Sequence, residues 1–215
     1  MKKILGISGS PIQNSNTDRA VKMVLEATGL ESEFVKLSDL DISACKACLG
    51  CVKTNRCVVK DDMADLAETF YQSAGFVIGA YTPYSSLDAR TKAFMERLYC
   101  LRHRKGLSVG KPGVAVITSA CDPLIEGHPP ALELATRQIE LWTMEEGMNL
   151  IGTVGVTGNV PCIKCGFGDC CNMSGVKMLF GKDATVESVG NQTLEEQESV
   201  KTALQRYAAA LKAAI

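Results

Sequence analysis

Apolar runs of strand length alternate with helical patterns along this chain. Lys2–Ser8 is β-rich and stops at Gly9. A helix starts near Asn16–Thr17, whose polar side chains are good N-caps. Ala20, Val21, Val24 and Leu25 give it an apolar stripe, and Gly29 ends it. Phe34–Leu37 reads as a second strand, followed by a cysteine-rich loop and a helix over Met63–Gln72 introduced by Asp61–Asp62. Phe76–Ala80 is a third strand running into Thr82–Pro83. Leu87–Leu101 is helical, with Leu87, Phe94 and Leu98 on one face. Val114–Thr118 is the fourth strand, Ala131–Glu146 a helix and Leu150–Val156 the fifth strand. An irregular cysteine-bearing stretch, residues 158–190, follows. Thr193-x-x-Glu196 then forms a capping box for a final helix to Ala214.

A βαβαβ order implies a parallel sheet with helices on both faces. Right-handed crossovers favour an α/β, flavodoxin-like three-layer sandwich with a five-stranded parallel sheet. No linker, repeat or low-complexity segment interrupts residues 1–215, so a single domain is expected. Its cysteine loop, residues 45–57, is an insertion between the second strand and the next helix. In such a sheet it lies at the carboxyl edge, beside the ligand crevice.

Composition narrows the class. The net charge of −1 gives no electrostatic case for nucleic acid or an anionic membrane. The opening MKKILGISGS breaks at Ser8–Gly9–Ser10, which reads as a strand and not a signal peptide. No segment approaches the about 20 apolar residues that span a bilayer. Ten cysteines without an export signal predict a cytoplasmic protein with metal or redox chemistry, not a disulfide framework.

Four of those cysteines, Cys45, Cys48, Cys51 and Cys57, are spaced C-x2-C-x2-C-x5-C. Thiolates at every third position can point inward from one tight loop, and a fourth can close a cage. Such a run suits a [4Fe–4S] cluster. Structural zinc also takes four cysteines, though more often as two separated C-x2-C knuckles. Unmetallated thiols or redox disulfides are the third reading. A second group, Cys162, Cys165, Cys170 and Cys171, is spaced C-x2-C-x4-C-C, with Gly166 and Gly168 allowing tight turns. It is a candidate second metal centre, although adjacent Cys170 and Cys171 cannot easily both enter one cage. A reversible disulfide or free thiols are its alternatives.

The loop from Gly6 to Thr17 is rich in Ser, Asn and Gly and ends at a helix N-terminus. Free N–H groups and the helix dipole there favour a phosphate. Ser10, Asn16 and Thr17 can add hydrogen bonds. Neither G-x4-G-K-[ST] nor G-x-G-x-x-G is present, which disfavours a dinucleotide. An ordinary polar-capped turn is the alternative.

Gly9-Ser-Pro followed by Ser15-Asn-Thr17 resembles the FMN phosphate loop of the NADPH-dependent FMN reductase superfamily. The cysteine run with Val58-x-x-Asp61-Asp-Met63 is similar to its iron–sulfur flavoprotein branch. The resemblance covers most of residues 1–155. It implies one FMN and one [4Fe–4S] cluster per chain, in a homodimer or homotetramer where flavin and cluster meet across an interface. It also implies electron transfer from a ferredoxin-like donor or NAD(P)H to a small-molecule acceptor. By the same resemblance Ser8, Ser10, Asn16 and Thr17 hold the FMN phosphate. Pro83, Tyr84, Ser85 and Ser86 lie along the isoalloxazine ring, with Ser119 and Cys121 on its other side. Ile12 stands where the family usually has a basic residue, which weakens charge compensation of the phosphate. The competing functions are a flavodoxin-like electron carrier without its own substrate and a zinc-stabilised NAD(P)H:flavin or quinone reductase.

The basic stretch Arg97–Lys105 reads as a solvated helix end, with a docking patch for an acidic donor as the sharper alternative. Cys100 and Cys121 read as buried free thiols. Trp142 reads as core. His103 and His128 are too scattered for a histidine-based site.

Overall fold

The computed structural model describes residues 3–120 and 129–215. Five strands, β1 (Ile4–Ser8), β2 (Ser32–Lys36), β3 (Gly75–Tyr81), β4 (Pro112–Ser119) and β5 (Asn149–Thr157), form one parallel sheet in the order β2-β1-β3-β4-β5. Each crossover between consecutive strands carries at least one helix, and the one from β2 to β3 carries the cysteine loop as well. The helices are α1 (Asn16–Thr28), α2 (Met63–Gln72), α3 (Ala89–Arg97), α4 (Tyr99–Arg102), α5 (Ala131–Glu145), α6 (Gly175–Phe180), α7 (Val186–Val189) and α8 (Glu198–Ala214). This is the flavodoxin-like arrangement.

The strands are apolar on both sides because both sides are covered. Phe76 and Ile78 of β3, and Ala115 and Ile117 of β4, pack with α2, α3 and α5. The intervening Val77, Val114 and Val116 pack with α1 and α8. Side chains one residue apart in a strand therefore feed two different cores. Phe70, Phe76, Phe94 and Trp142 cluster on the first face, with the Phe70 and Phe76 rings 5.3 Å apart. Trp142 is buried, as its pattern predicts.

Several boundaries differ from the sequence reading. The N-cap of α1 is Ser15, not Asn16 or Thr17: its hydroxyl accepts from the Asp18 N–H, and the Asp18 carboxylate accepts from the Ser15 N–H. The helix expected over Leu87–Leu101 starts at Ala89, because the Asp88 carboxylate caps the Thr91 N–H at 2.9 Å. An irregularity at Leu98 then separates α3 from α4. The Thr193–Glu196 box caps only a 3-10 turn; Gln197 leaves helical geometry, its side chain bonding Thr157 and Thr193, and α8 starts at Glu198. The stretch expected to be irregular, 158–190, contains α6 and α7.

The strand order reverses between β1 and β3, so the loops at their carboxyl ends diverge and leave a crevice. Gly9 sits at that divergence. A Cβ there would lie 2.0 Å from Thr91 Oγ1 and 2.6 Å from Asp88 Oδ2. Gly9→Ala should therefore destabilise the chain by about 1–3 kcal/mol, the usual cost of overpacking a tight site. A lowered urea midpoint at unchanged slope is the expected result.

Candidate functional site

The crevice is a cavity of about 600 Å³, within the range of small-molecule and cofactor sites. Its floor is the loop from Ser10 to Thr17; its walls come from Tyr81–Pro83, Thr118, Ala120, Gly158–Pro161, Lys164 and Cys165. Loops after β1, β3, β4 and β5 thus converge on one space.

A buried ion pair supports the floor from below. Lys36 Nζ lies 2.8 Å from Asp18 Oδ2, with both side chains at most 5% exposed. Asp18 also accepts from Ser8 Oγ at 2.6 Å, and Lys36 donates to the Ile12 carbonyl at 2.9 Å. Asp18 is thereby bonded to Ser8, Ser15 and Lys36 at once. This fixes the loop between the end of β1 and the start of α1. The first-turn N–H groups of Asn16 and Thr17 have no intrahelical partner and face the positive end of the helix dipole. Asn14 turns the chain through a left-handed φ of 52° just before them.

The predicted site residues fall into distinct places. Ser10, Asn16, Thr17 and Pro83 line the cavity. Ser8 lies beneath it, its hydroxyl engaged by Asp18. The Asn16 amide donates to the Thr157 and Gln192 carbonyls and its oxygen accepts from Arg19, so its side chain ties α1 to β5. Thr17 Oγ1 shares a 2.8 Å hydrogen bond with Thr118 Oγ1. Tyr84 and Ser85 both adopt left-handed φ, at 51° and 57°, and the Tyr84 side chain is wholly exposed. Ser86 bonds Gln138. Ser119 is buried at the end of β4. Cys121 and His128 lie outside the described residues. Cations missing at Ile12 reach the cavity from elsewhere: Arg19 and Lys164 are among its lining residues.

The cysteine loop is a separate structure, and none of its four cysteines lines the cavity. Cys45 and Cys48 are exposed, while Cys51 and Cys57 are half-buried against the α2–α3–α5 core. Two side chains, Asn55 and Arg97, tie the loop to the helices beside it. The Asn55 amide, buried, donates to the carbonyls of Cys100, Leu101 and His103 at the end of α4. Arg97 donates to Ser43 O at 2.7 Å and forms a two-pronged pair with Asp61, at 2.6 and 2.7 Å. Ser43 precedes the loop and Asp61 follows it, so one guanidinium fastens both ends.

This corrects the reading of Arg97 as part of a solvated helix end. Its side chain is 1% exposed and that of Asp61 3%. The basic residues after it do stay at the surface: Arg102 pairs with Glu146 at 3.4 Å. Arg97 was hidden because its partner lies 36 residues upstream. The guanidinium hydrogen bond holds the Asp61 carboxyl at about 2, well below its ordinary range, and Asp61 in turn raises the already high Arg97 value.

The Cys57 sulfur near Arg97 raises the guanidinium's value further, and among the described residues Arg97 Nε has no hydrogen-bond partner. Burial pushes the Cys51 thiol up, and the neighbouring Cys57, Cys48 and Cys45 push it further. Cys100, buried beside Cys57 and Cys51, is pushed up to about 11, chiefly by burial, and is a neutral thiol in the core. The four cysteines of this loop lie on one short stretch of chain beside the buried Arg97 guanidinium. Among the described residues, no three His, Cys, Asp or Glu side chains converge closely enough to grip a single ion. Four cysteine thiols are the ligand type of an iron–sulfur cluster, so the donor chemistry of the loop is compatible with one.

Asp61→Asn should cost about 3–5 kcal/mol, because it leaves Arg97 buried without its counter-ion. Asp61 has a lowered folded-state value, so its contribution is present above 3.8 and lost as pH falls toward about 2. Urea titrations of the metal-free chain should show wild type losing about 2–3 kcal/mol more than Asp61→Asn across that window. Parallel curves for the two would remove the pair from the account of loop stability.

Comparison with known proteins agrees with this geometry. The family model for NADPH-dependent FMN reductase matches residues 2–139. An iron-sulfur flavoprotein of Methanosarcina thermophila is 28% identical over 153 residues, 70% of this chain and 77% of that protein. An iron-sulfur flavoprotein of Methanocaldococcus jannaschii is 31% identical over 103 residues, 46% of this chain and about half, 53%, of that protein. The structure of an FMN-dependent NADH-azoreductase from Bacillus anthracis in complex with FMN superposes with a TM-score of 0.63 at 11% identity, covering 99% of this chain and all of that one. That likeness bears on the fold alone. The chain belongs to the NADPH-dependent FMN reductase family, whose members are FMN-dependent oxidoreductases.

Proposed function

We propose that this chain is an iron–sulfur flavoprotein that passes electrons between a one-electron donor and a small acceptor. The observation that carries it is the coexistence of two separate features at one sheet edge: a cavity floored by the Ser10–Thr17 loop and a four-cysteine loop beside the buried Arg97. FMN, when bound, supplies two-electron chemistry that can also run in single steps, and a [4Fe–4S] cluster supplies one-electron chemistry.

The residues divide the work as follows. The Asn16 and Thr17 N–H groups, with Ser10, would hold the phosphate, and Arg19 and Lys164 would supply positive charge at the rim. The Pro83–Ser86 turn, with two strained left-handed residues, stands ready to carry Tyr84 over the ring. Such strain is retained where the surroundings require it. Cys45, Cys48, Cys51 and Cys57 would ligate the cluster, and Arg97 would offset its negative charge at Cys57. A ferredoxin-like protein or NAD(P)H is the proposed donor. None of the four cysteines lines the cavity, so the cluster of one protomer would serve the flavin of another. A homodimer or homotetramer is part of the proposal, and exposed Leu49 and Val58 on the cysteine loop support it. In an electron carrier of the flavodoxin kind the loop would have no task. A zinc-stabilised reductase would need the sulfurs to close on one ion.

Two measurements test this. Flavin extracted from the purified protein should be FMN; recovery of FAD, or no flavin after reconstitution with FMN, rejects the cavity assignment. Serine at Cys45, Cys48, Cys51 and Cys57 should abolish iron and sulfide at that loop and slow flavin reduction by reduced ferredoxin in anaerobic stopped flow. Direct chemical reduction of the flavin should be unchanged. Equal ferredoxin-driven rates in wild type and variant would move the zinc-stabilised reductase to first place.

A further inference from the structure

The floor of the cavity is short of positive charge. A phosphate monoester carries about −1.5 to −2 charges at neutral pH, and a helix N-terminus offsets about half of one. The floor itself, Ser10 to Thr17, contains no lysine or arginine. Lys36 beneath it is engaged by Asp18, 2.8 Å away, and by the Ile12 carbonyl. Arg19 shares its charge with Glu195, whose carboxylate lies 2.9 Å from Arg19 Nε. Its two terminal nitrogens donate to Asn14 O and Asn16 Oδ1, each at 2.6 Å. Among the described residues of the lining, the remaining cation is Lys164, and none is a carboxylate. The Lys164 ammonium has no hydrogen-bond or ion-pair partner among the described residues.

The backbone that carries Lys164 is well anchored. Lys164 follows a 3-10 turn, Pro161–Ile163, on the wall that leaves β5. Asn16 holds both ends of that wall: its amide donates to the Thr157 and Gln192 carbonyls, each at 3.0 Å. Asn159 and Gln192 bond each other reciprocally at 2.8 Å. The N–H groups of Ile163, Lys164 and Cys165 return to the Val160 and Pro161 carbonyls at 3.0–3.1 Å, and Val160 is buried. The wall is therefore fixed to the first turn of α1, where the unpaired N–H groups of Asn16 and Thr17 lie. From this anchored turn extends a compact charge on a flexible four-carbon stem.

We propose that Lys164 is the specificity-determining cation of the cavity: it selects a flavin bearing a terminal phosphate over the same flavin without one. It stands in for the cation absent at Ile12, and it does so from the opposite wall. The inference rests on the FMN reading of the cavity and adds to it the residue that makes the phosphate matter. A phosphate held between the α1 N–H groups and Lys164 would bridge the floor and the wall. Riboflavin has the same ring and ribityl chain, so it would gain nothing from the lysine. Lys164 is exposed, so its attraction should weaken as salt rises.

The test titrates flavin-free full-length protein with FMN and with riboflavin and reads the dissociation constants from flavin fluorescence. The variants are Lys164→Gln, Lys164→Arg and, as a charge control, Lys182→Gln at an exposed lysine of the same segment. Wild type should bind FMN more tightly than riboflavin. Lys164→Gln should lose about tenfold in FMN affinity, between the worth of an exposed ion pair and that of a hydrogen bond to a charged group. Its riboflavin affinity should change by less than about twofold, the scale of an indirect surface effect. Lys164→Arg should keep most of the preference, and Lys182→Gln should match wild type. Raising the ionic strength should weaken FMN binding more in wild type than in Lys164→Gln. The riboflavin constant and the far-UV circular dichroism report whether a variant has folded. An unchanged FMN affinity in Lys164→Gln, an equal loss for both flavins, or the same loss in Lys182→Gln overturns the proposal and leaves the FMN reading standing. If wild type binds no FMN, the FMN reading fails and the proposal falls with it.

Discussion

The Arg97–Asp61 pair is the interaction on which the cysteine loop depends. Residues 43–61 form a long excursion with almost no regular structure, and such a loop carries a large conformational entropy. Arg97 reaches out of α3 and bonds the chain where it leaves, at Ser43, and where it returns, at Asp61. Burying two charges is expensive, and the pair offsets that cost through two short parallel bonds and a third to a carbonyl. A hydrophobic pair of the same volume could close the loop as well. It could not place a positive charge against Cys57.

A second buried pair does the same for the other loop. Lys36 and Asp18 lie under the Ser10–Thr17 turn and hold its shape. Arg97 of α3 clamps its loop through Asp61 of the loop itself, whereas Asp18 of α1 and Lys36 of β2 brace theirs from beneath. Parallel strand order then puts both loops at the same edge of the sheet, because every strand ends there.

The sheet and the helices were legible in the sequence because they follow from periodicity. Phe76–Val77–Ile78 must face two cores in alternation, and no other arrangement covers all three. The site was legible only where its residues are contiguous, as at Cys45–Cys57 and Ser10–Thr17. Long-range partners were not. Arg97 sits at the head of a run of cations, and its neighbours Arg102 and Arg104 drew it into the reading of a solvated helix end. Asn16 looked like a phosphate ligand by position, yet its amide serves Thr157 and Gln192, which lie 141 and 176 residues away. Lys164, a cation at the cavity, had no local signal at all. One local signal was available: Ser15-x-x-Asp18 has the spacing of a capping box, and it places the helix start one residue earlier.

The two cysteine groups differ in what holds their backbone, and that difference bears on what each can do. Cys51 and Cys57 rest on the α2–α3–α5 core, and Asn55 and Arg97 fix the loop around them. That loop is held by bonds and packing that do not involve its sulfurs. Cys162–Cys171 has no comparable foundation. Its residues are mostly at the surface, and its order rests on a few polar bonds and the sulfurs themselves. The first group therefore takes its shape from the core beneath it, and the second from polar bonds at the surface.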